Sequence, residues 1–475
     1  MTTIARRLAG FARGLRLRDV PDDVLEIAPM LLADTLACAI AAAGEPGAGA
    51  VDAVVEYALS ERAIPAATVI GASWKSSLRS ASMANCTMAR YLDANDIYMP
   101  VAGSLSGSGH FSDALPALVA TAESLGSSGP ELLESVIVAY EVQAALADGF
   151  SWLDRGFHSV SQVTVAVALA AGRLMGLSGD QLAHAASLAI TSGTFVQSWL
   201  RPSTAVTAIK GGAPGLAAER GISCAELAVR SFTGPLDAFE TFFSLFGEDS
   251  SLPGRCVDRL GNVWTMPRNA IKPAPAQIFT QPVIQCAQEL FEQGLRLEDM
   301  THLTVRSNRG ACDRAQGSPV AFRPQSREAA DHSTPFVTAM TLRDGRITPE
   351  TYHGKPWESP DVLEAMSRIG LVVDESWSDK LDQRGLIGAQ IEARDVSGKG
   401  FNATVEQFRG HPDNALARAE LIEKLEAFVG RPEILGPGAG SKLLELSESL
   451  RDSGEVASLV GHWNLDVMND NRFRV

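Results

Sequence analysis

The chain has 475 residues, 45% hydrophobic and 20% charged, which is long enough for two or three domains with apolar cores. It carries 41 Lys and Arg against 56 Asp and Glu, a formal net charge of −15 that disfavours binding to nucleic acid or an anionic membrane surface. Its 6 cysteines form no C-x-x-C pair, so we expect buried thiols in a reducing, cytoplasmic compartment rather than a zinc site or a disulfide framework.

The N-terminal segment carries arginines at several positions between 6 and 18 but lacks the apolar stretch of a secretory signal. Apolar residues recur in it at helical spacing, at Ile4, Leu8, Phe11 and Leu15. We therefore predict an amphipathic first helix, with a transit peptide as the alternative. The apolar run from 35 to 44 is bounded by charged residues and falls short of the ~20 residues of a membrane span, so we expect no membrane insertion.

Between residues 22 and 247, Ala- and Leu-rich segments alternate with short Gly, Ser and Pro breaks, which is typical of a packed helical domain. In the segment 130–149, for example, Ser128 and Pro130 suit a helix start and apolar residues then recur every third or fourth position. The same pattern predicts helices at 113–125, 160–175, 180–191 and 215–229. The many Ala and Gly residues indicate closely packed helices.

The pattern changes near Pro267. Alternation of apolar and polar residues predicts strands at 302–306, 389–393 and 401–405. The last two flank a Ser-Gly-Lys-Gly turn and form a predicted hairpin. Helical periodicity recurs at 328–342, 414–428 and 442–450. The sequence thus predicts a smaller α+β domain, after which a helical tail returns to the first domain.

Several common catalytic motifs are absent from the sequence. It contains no Walker A loop, no H-E-x-x-H and no G-x-S-x-G, and the Gly-rich stretch 436–440 includes a proline and is better explained as a turn. No group of His, Cys and carboxylate residues has the spacing of metal ligands. We therefore predict that the protein needs no metal.

Polar residues that interrupt apolar helical segments are the candidate functional groups. Asp93 and Asp96 end one segment, and His110 precedes the next after a loop rich in Gly and Ser. His158 stands at the predicted start of a helix, where an anion is favoured. Each has an ordinary alternative, because single acids often cap helices or face solvent and single histidines are more often structural.

Two lysines lie in apolar sequence. Lys210 is expected in a Gly-rich loop that opens onto a helix, and Lys272 at the junction between the two predicted domains. A lysine in such surroundings must pair with a carboxylate of the protein or of a substrate. Weaker signals come from the remaining histidines, expected to be structural or on the surface: His184, His302, His353, His411 and His462.

Taken together, these segments resemble the MmgE/PrpD family over most of the chain. The matching stretches are Leu-Asp-Ala-Asn-Asp at 92–96, Gly-His at 109–110, Glu-Leu-Leu to Tyr-Glu-Val at 131–142, Gly-Phe-His at 156–158, Lys210 with Gly215, Phe-Thr-Gly-Pro at 232–235, Lys272 with Pro275, Glu-Ala-Ala-Asp-His-Ser-Thr-Pro-Phe at 328–336 and Leu-Arg-Asp-Gly at 342–345. Each motif alone is unspecific. Their order and spacing carry the resemblance.

The resemblance implies a mainly α protein: a large all-helical domain built from both chain ends plus a smaller α+β lid domain. We place the helical domain at 1–266, the lid at 267–408 and the returning C-terminal helices at 409–475. The resemblance also implies a homodimer that acts on a small carboxylate substrate, without a cofactor, in a cleft between the domains.

The resemblance also identifies candidate site residues. Those at the family's active-site positions are Asp93, His110, His158, Lys210 and Lys272. Further substrate contacts are expected from Asp96, Gln281, Phe336 and His332. The loop before His110, around Ser106, is several residues longer than is usual in the family.

Four positions depart from the family pattern. Ile97 replaces a frequent Thr, Ala213 a His, Gln281 a Cys or His, and Phe336 a Tyr. These changes remove acid or base candidates from the expected pocket. They favour a substrate with fewer carboxylates than methylcitrate, or one with different leaving chemistry.

Removing a proton or CO2 next to a carboxylate builds up negative charge. We expect Lys210 and Lys272 to stabilise that charge, His110 and His158 to exchange protons, and Asp93 to orient one of these histidines. The predicted function is a cofactor-free lyase, either a dehydratase or a decarboxylase. An epimerase or isomerase ranks second, and a catalytically weakened binding or assembly protein remains a third alternative.

Overall fold

The computed structural model describes residues 2–47, 49–100, 108–197, 206–247, 249–313, 316–452 and 454–462. The loop around Ser106 and the end of the predicted C-terminal segment lie outside these residues. Helices dominate the described chain and the sheets are small, which confirms the mainly α prediction.

The first half of the chain is a succession of helices that ends at residue 258. They are α1 (Ile4–Gly14), α2 (Asp22–Ala43), α3 (Gly49–Ser60), α4 (Leu78–Tyr91), α5 (Leu115–Leu125), α6 (Gly129–Gly149), α7 (Val160–Leu174), α8 (Gly179–Ser192), α9 (Ile209–Val229), α10 (Ala238–Leu245) and α11 (Ser251–Asp258). A 3-10 turn, Phe111–Ala114, leads into α5. The predicted helices at 130–149, 160–175 and 180–191 are each found within one residue of those limits.

Side-chain caps fix the starts of two of these helices. Ser128 accepts a hydrogen bond from the backbone N–H of Glu131, whose side chain in turn accepts from the backbone of Ser128, and this capping box begins α6. Ser178 and Gln181 form the same arrangement at the start of α8. Both caps satisfy backbone N–H groups that have no partner inside their helix.

Two short antiparallel pairs accompany the helices. The strands are β1 (Ala67–Thr68), β2 (Lys75–Ser76), β3 (Ile97–Tyr98) and β4 (Asn269–Ala270), with β1 paired to β2 and β3 to β4. The second pair joins the segment after α4 to the start of the lid. It therefore holds the neighbourhoods of Asp93 and Lys272 side by side.

The lid contains a four-stranded sheet with the order β6-β5-β7-β8. Its elements are α12 (Gln281–Glu292), β5 (Met300–Ser307), α13 (Arg309–Cys312), α14 (Arg327–Ala330), α15 (Thr334–Asp344), α16 (Pro360–Ser367), β6 (Ile369–Val373), α17 (Glu375–Arg384), β7 (Ala389–Asp395) and β8 (Gly400–Val405). β5 pairs in parallel with β6, whereas β7 is antiparallel to both β5 and β8. The predicted strand at 302–306 and the predicted hairpin are confirmed.

The chain ends with α18 (Arg418–Val429), α19 (Ala439–Ser449) and α20 (Val456–His462). Their apolar residues, including Leu421 and Leu443, belong to the same core as those of α1–α9. A second core lies in the lid, formed by residues between 274 and 403. A smaller cluster that includes Ile97, Ala270 and Phe408 lies at the junction. The domain limits at 266 and 408 stay a prediction.

Two local predictions were wrong, and both concern site residues. Lys210 lies in the first turn of α9 rather than in a loop, because that helix already begins at Ile209 and packs closely on α4. The predicted helix 328–342 is broken between α14 and α15, where Ser333 accepts from the N–H of Phe336 and Pro335 occupies the first turn. The break turns Asp331 and His332 out of the helical repeat.

Among the described residues, α2 is long and apolar enough to cross a membrane by length and composition. Its apolar run is interrupted by Asp34 and other polar residues, and the expectation of no membrane insertion stays a prediction. Most of α2 is buried inside the protein, as the central helix of a domain also is. Asp34, in its middle, is fully buried and forms an ion pair with Lys424 of α18.

Candidate active site

Asp93 is at the centre of the candidate site. It follows α4 in a tight turn, its side chain is buried, and its backbone has a φ of 52°, a left-handed conformation that is uncommon for a residue other than glycine. Lys424 donates a hydrogen bond of 2.9 Å to the carbonyl oxygen of the next residue, Ala94. Lys424 is itself held by its ion pair with Asp34. The C-terminal helix α18 therefore supports the turn that contains Asp93.

Lys272 reaches Asp93 from the start of the lid. Its Nζ donates to the backbone carbonyl oxygen of Asp93 and, at 2.9 Å, to Oδ1 of the carboxylate. The neighbouring residue Ile271 donates its N–H to the carbonyl oxygen of Gly410. Gly410 has a φ of 108° and lies so close to Ile271 that a Cβ atom would overlap the carbonyl oxygen of Ile271. Glycine at 410 therefore permits the contact that places Lys272.

Lys210 reaches the same carboxylate from α9. Its Nζ lies 3.5 Å from Oδ2 of Asp93 and 3.1 Å from Oδ2 of Asp331. This position depends on the close approach of α9 to α4, since a Cβ atom at Gly215 would overlap Thr87 and the carbonyl oxygen of Met83. The fold thus places the amine of Lys210 between two carboxylates, that of Asp93 after α4 and that of Asp331 before α15.

Asp331 and His332 come from the break between α14 and α15. Nδ1 of His332 forms a short hydrogen bond with Oδ1 of Asp331, and Nε2 of the same ring lies 3.7 Å from Oδ2 of Asp93. Asp331 is completely buried and His332 is 7% exposed. A carboxylate oxygen therefore faces each nitrogen of this imidazole.

Arg327 attaches this part of the lid to the helical domain. It pairs with Asp331 at 3.1 Å and donates to the carbonyl oxygens of Tyr91 and Leu92 at the end of α4. Its guanidinium also lies over the rings of Tyr91 and Tyr352, at 4.7 and 4.6 Å from their centroids. The planar guanidinium makes all of these contacts at once.

His110 lies on the helical-domain side of the cluster, at the start of the 3-10 turn before α5. Its Nε2 is 4.0 Å from Oδ1 of Asp93, and its Nδ1 has no hydrogen-bond partner among the described residues. Burial, together with Arg90 and Lys272, holds the pKa of His110 well below its usual range. The ring is therefore neutral near pH 7.

His158 stands before α7, where its Nδ1 accepts a hydrogen bond of 3.3 Å from the N–H of Val160. Burial, with a smaller effect from Arg90, lowers the pKa of His158 to about 3. This ring is also neutral near pH 7. No hydrogen bond described in the structure joins His158 directly to Asp93.

The charge states of the two central carboxylates follow from their neighbours. Burial alone would raise the pKa of Asp93, but it is outweighed by basic neighbours that hold the pKa well below its usual range: Lys210, Lys272, His332 and Arg90. Burial likewise opposes ionisation of Asp331, whose pKa is nevertheless lowered by Lys210 and His332. Both carboxylates are therefore ionised at neutral pH.

Burial lowers the pKa of Lys272, and the charge of Asp93 opposes that shift. On the outer side of the cluster, Arg90 lies 3.9 Å from Asp93 and 3.5 Å from Asp113. Burial raises the pKa of Asp113 to about 6 in spite of Arg90 and a hydrogen bond from Asn95.

Asp96 lies next to the site in a different environment. It accepts hydrogen bonds from the hydroxyl of Ser112 and, at 2.9 Å, from the hydroxyl of Tyr140. Burial raises the pKa of Asp96 to about 7 despite these bonds. With no cation described in contact with it, Asp96 supports the turn that contains Asp93 through hydroxyl groups rather than by charge.

Two of the expected substrate contacts are placed elsewhere. The amide of Gln281 bonds to the backbone of Ala274 and Ala276 and so braces the loop after Lys272. Phe336 is fully buried in the lid core, with its ring centroid 5.9 Å from that of Tyr352. Neither side chain bonds to a residue of the cluster, because each completes a structural contact in the lid.

The other two departures from the family pattern are also packed away from water. Ile97 is buried in the junction cluster of apolar residues, and Ala213 is buried within α9. An apolar side chain fits both environments. These positions therefore show how the chain packs and do not add polar groups to the cluster.

Sequence reasoning missed three residues of the cluster: Asp331, Arg327 and Arg90. Asp331 lies in the stretch 328–336 that resembles the family, and Arg327 directly precedes it. A local pattern does not show which polar side chain of this stretch contacts Lys210, which is 121 residues away in sequence. Arg90 precedes Asp93 by three residues and lies within the helical segment α4. A charged residue predicted to be buried in a helix is the signal that could have identified it.

Asp93, Asp331 and His332 also offer ligand atoms that lie within 4.8 Å of one another, close enough to hold a metal ion. Residues 93 and 331 are distant in sequence, so spacing alone did not predict this group. The ammonium of Lys210 already lies against both carboxylates. A divalent ion bound there would be repelled by Lys210 and Lys272, so the donor set fits a metal poorly.

Comparison with known protein families gives two matches. The MmgE/PrpD N-terminal domain matches residues 6–248, and the MmgE/PrpD C-terminal domain matches residues 274–437. The first match contains Asp93, His110, His158 and Lys210, and the second contains the Asp331–His332 pair. Lys272 lies just ahead of the second match.

Curated proteins similar to this chain carry two kinds of name. A 2-methylcitrate dehydratase from Salmonella typhimurium is 25% identical over 359 residues, covering 71% of each chain. A 2-methylcitrate dehydratase from Escherichia coli is similar to the same extent. A cis-aconitate decarboxylase from Homo sapiens is 25% identical over 484 residues, covering 97% of this chain and 94% of that protein.

Proposed function

The chain belongs to the MmgE/PrpD family, and on that premise we propose that it is a cofactor-free lyase that removes water or CO2 from a small carboxylic acid. The relatives named as a dehydratase and a decarboxylase support this reaction class. Both names describe the loss of a small molecule from a carboxylic acid. In such reactions negative charge accumulates beside a carboxylate and must be stabilised.

The observation that carries the proposal is the convergence of two buried lysines on one carboxylate. Lys210 and Lys272 come from different elements and both contact Asp93. In the described part of the cluster, four cationic side chains face three ionised carboxylates: Arg90, Lys210, Lys272 and Arg327 against Asp93, Asp113 and Asp331. A surplus of one positive charge remains while Asp96, whose pKa is about 7, is protonated and the histidines are neutral. A substrate carboxylate would compensate that surplus.

In the proposed reaction Lys210 and Lys272 bind the substrate carboxylate and stabilise the enediolate that forms from it. The neutral imidazole of His110, whose Nε2 lies 4.0 Å from Asp93, and that of His158 are the proton-exchange groups expected from the sequence. Asp93 holds both lysines in place, while Asp96 supports the turn that carries Asp93. Gln281 and Phe336 act indirectly, by shaping the lid.

An epimerase or isomerase is the second candidate. The same groups could remove a proton next to a carboxylate and return it to the other face, since the cluster combines neutral imidazoles with cations. The third candidate, a weakened family member with a binding or assembly role, requires that the cluster bind carboxylates without turnover. We further propose a cytoplasmic homodimer, an assembly supported by the family resemblance alone.

Turnover of known acids tests these alternatives directly. The purified protein is incubated in D2O with 2-methylcitrate, with cis-aconitate and then with a panel of other short carboxylic acids, and the products are followed by NMR. Net loss of water or CO2, abolished in Lys210→Met and retained in the exposed Lys442→Met control, supports the lyase. Deuterium uptake without net product favours an epimerase, and neither change across the panel contradicts both enzymes.

A further inference from the structure

The three histidines near the cluster differ in which ring nitrogen can receive a proton. In a neutral imidazole one nitrogen carries hydrogen and donates, and the other accepts. The partner of the first nitrogen therefore decides the role of the second.

His332 is held in one tautomer by Asp331. Because Asp331 is ionised and surrounded by Lys210 and Arg327, its Oδ1 must accept the hydrogen bond, and Nδ1 of His332 must donate it. Whenever the ring is neutral, this leaves Nε2 with the lone pair. Nε2 faces the cluster, 3.7 Å from Oδ2 of Asp93, so an imidazolium formed at this position would have a carboxylate at each nitrogen.

His158 is held in the opposite tautomer. Its Nδ1 accepts from the N–H of Val160, so its Nε2 carries the proton and can only donate a hydrogen bond while the ring is neutral. His110 has one carboxylate nearby, that of Asp93 at 4.0 Å, but burial and the cations Arg90, Lys272 and Lys210 oppose a positive charge on its ring. A proton taken up by either ring would therefore be less stabilised than one on His332.

From these contacts we propose that His332 is the catalytic residue that exchanges a proton with the substrate carbon, and that Asp331 is the positioning residue that keeps Nε2 free to accept it. The inference rests on the proposed function and assigns one of its steps to a residue expected from the sequence to contact substrate.

The step balances within the site. The C–H bond next to the substrate carboxylate breaks, and an N–H bond forms at Nε2 of His332. The electron pair of the broken bond moves into the carboxylate, which becomes an enediolate facing Lys210 and Lys272. The imidazolium is stabilised by Asp331 and Asp93. The same step, run in reverse, delivers a proton to a carbanion left by decarboxylation.

A substrate-free experiment tests the tautomer. In protein labelled with ¹⁵N at histidine, long-range ¹H–¹⁵N correlations show which ring nitrogens carry hydrogen, and His332→Asn identifies the signals of residue 332. The pH is raised until the ring has lost one proton. We expect the remaining proton on Nδ1. A neutral ring protonated on Nε2, with Nδ1 bare, would overturn the assignment.

The kinetic test uses the same variant. In the His332→Asn variant, the asparagine amide can still donate a hydrogen bond to Asp331 but offers no basic nitrogen. With 2-methylcitrate or cis-aconitate, whichever acid the wild-type protein converts, kcat should fall about 10²–10⁴-fold while KM changes little. Deuterium uptake from D2O should fall with kcat. The exposed His302→Asn, on the lid sheet, serves as the matched control and should keep full activity.

The two tests distinguish a failure of the role of His332 from a failure of the proposed lyase function. A folded His332→Asn protein, judged by an unchanged thermal unfolding transition, that retains kcat would overturn the role of His332 even if the lyase assignment holds. If the wild-type protein converts neither acid, the proposed function fails for these substrates. The NMR result then still decides whether Asp331 fixes His332 in the tautomer that the inference requires.

Discussion

Lys272 donates two hydrogen bonds to a single residue, one to the backbone carbonyl oxygen of Asp93 and one of 2.9 Å to its carboxylate, across 179 residues of sequence. The same amine thus compensates the charge of Asp93 and holds its left-handed backbone in place. Strain and charge at the centre of the site are therefore stabilised by one side chain from the start of the lid.

Replacing Lys272 by Met should destabilise the protein as well as inactivate it. Asp93 would remain buried with one of its closest cations removed, and breaking a buried pair in this way costs about 3–5 kcal/mol. Urea unfolding measures the change in the free energy of unfolding. Lys442→Met, at an exposed lysine paired with Glu445, should change it by less than about 0.5 kcal/mol. Equal effects of the two variants would contradict the contribution assigned to Lys272.

Asp96 should make the protein more stable at acid pH than at neutral pH. Because burial raises its pKa to about 7 in the folded state, its contribution is fully present below the unfolded value of 3.8 and is lost as the pH rises through 7. At about 1.36 kcal/mol per pKa unit, the change amounts to at most about 4 kcal/mol. The free energy of unfolding of the wild-type protein and of Asp96→Asn, measured between pH 4 and 8, isolates the contribution of Asp96. Parallel curves for the two proteins would be evidence against a raised pKa.

His158 should make the protein less stable at acid pH than at neutral pH. Its pKa falls from 6.5 to about 3 on folding, so its contribution is fully present above pH 6.5 and is lost as the pH falls towards 3. The loss amounts to at most about 5 kcal/mol. His158→Asn retains an acceptor for the N–H of Val160, and in unfolding experiments it should lose less stability on acidification than the wild-type protein. A greater acid sensitivity of the variant would show that His158 is not buried in its neutral form.

Arg327→Lys should weaken the attachment of the lid although it preserves the charge. The ammonium of lysine can pair with Asp331, but it cannot also donate hydrogen bonds to the carbonyl oxygens of Tyr91 and Leu92. Each lost hydrogen bond from a charged donor costs about 1.5–3 kcal/mol. Hydrogen exchange should accelerate at the end of α4 and in α14. Arg323→Lys, at an exposed arginine of the lid, is the control. Unchanged hydrogen exchange in Arg327→Lys would contradict the proposed attachment of the lid by Arg327.

Periodicity predicted the long helices and the hairpin because each depends on a local repeat with a clear start and stop. It misplaced Lys210, since Gly211, Gly212 and Pro214 resemble a loop locally, whereas the close packing of α9 on α4 makes the segment helical. It also missed the break at Asp331, which depends on the cap at Ser333. Tertiary packing decided the first case and a local side-chain cap the second.

The order of the motifs identified the residues that meet at Asp93, including His110, Lys210 and Lys272. It could not identify which carboxylate faces which cation, because those contacts cross between domains. The direction of the hydrogen bond between His332 and Asp331 depends on such a contact. The two residues are adjacent in sequence, but only the position of Lys210 and Arg327 around Asp331 shows that the aspartate must accept the hydrogen bond.

A crystal structure with tricarballylate, an acid that lacks a hydroxyl leaving group, would show whether the Asp93 cluster binds a carboxylate substrate. We expect a carboxylate of the ligand within about 3.2 Å of Nζ of Lys210 or Lys272, with a CH group of the ligand facing Nε2 of His332. Tricarballylate bound elsewhere, with the contacts of Asp93 to both lysines unchanged and the cluster empty of ligand, would contradict this expectation.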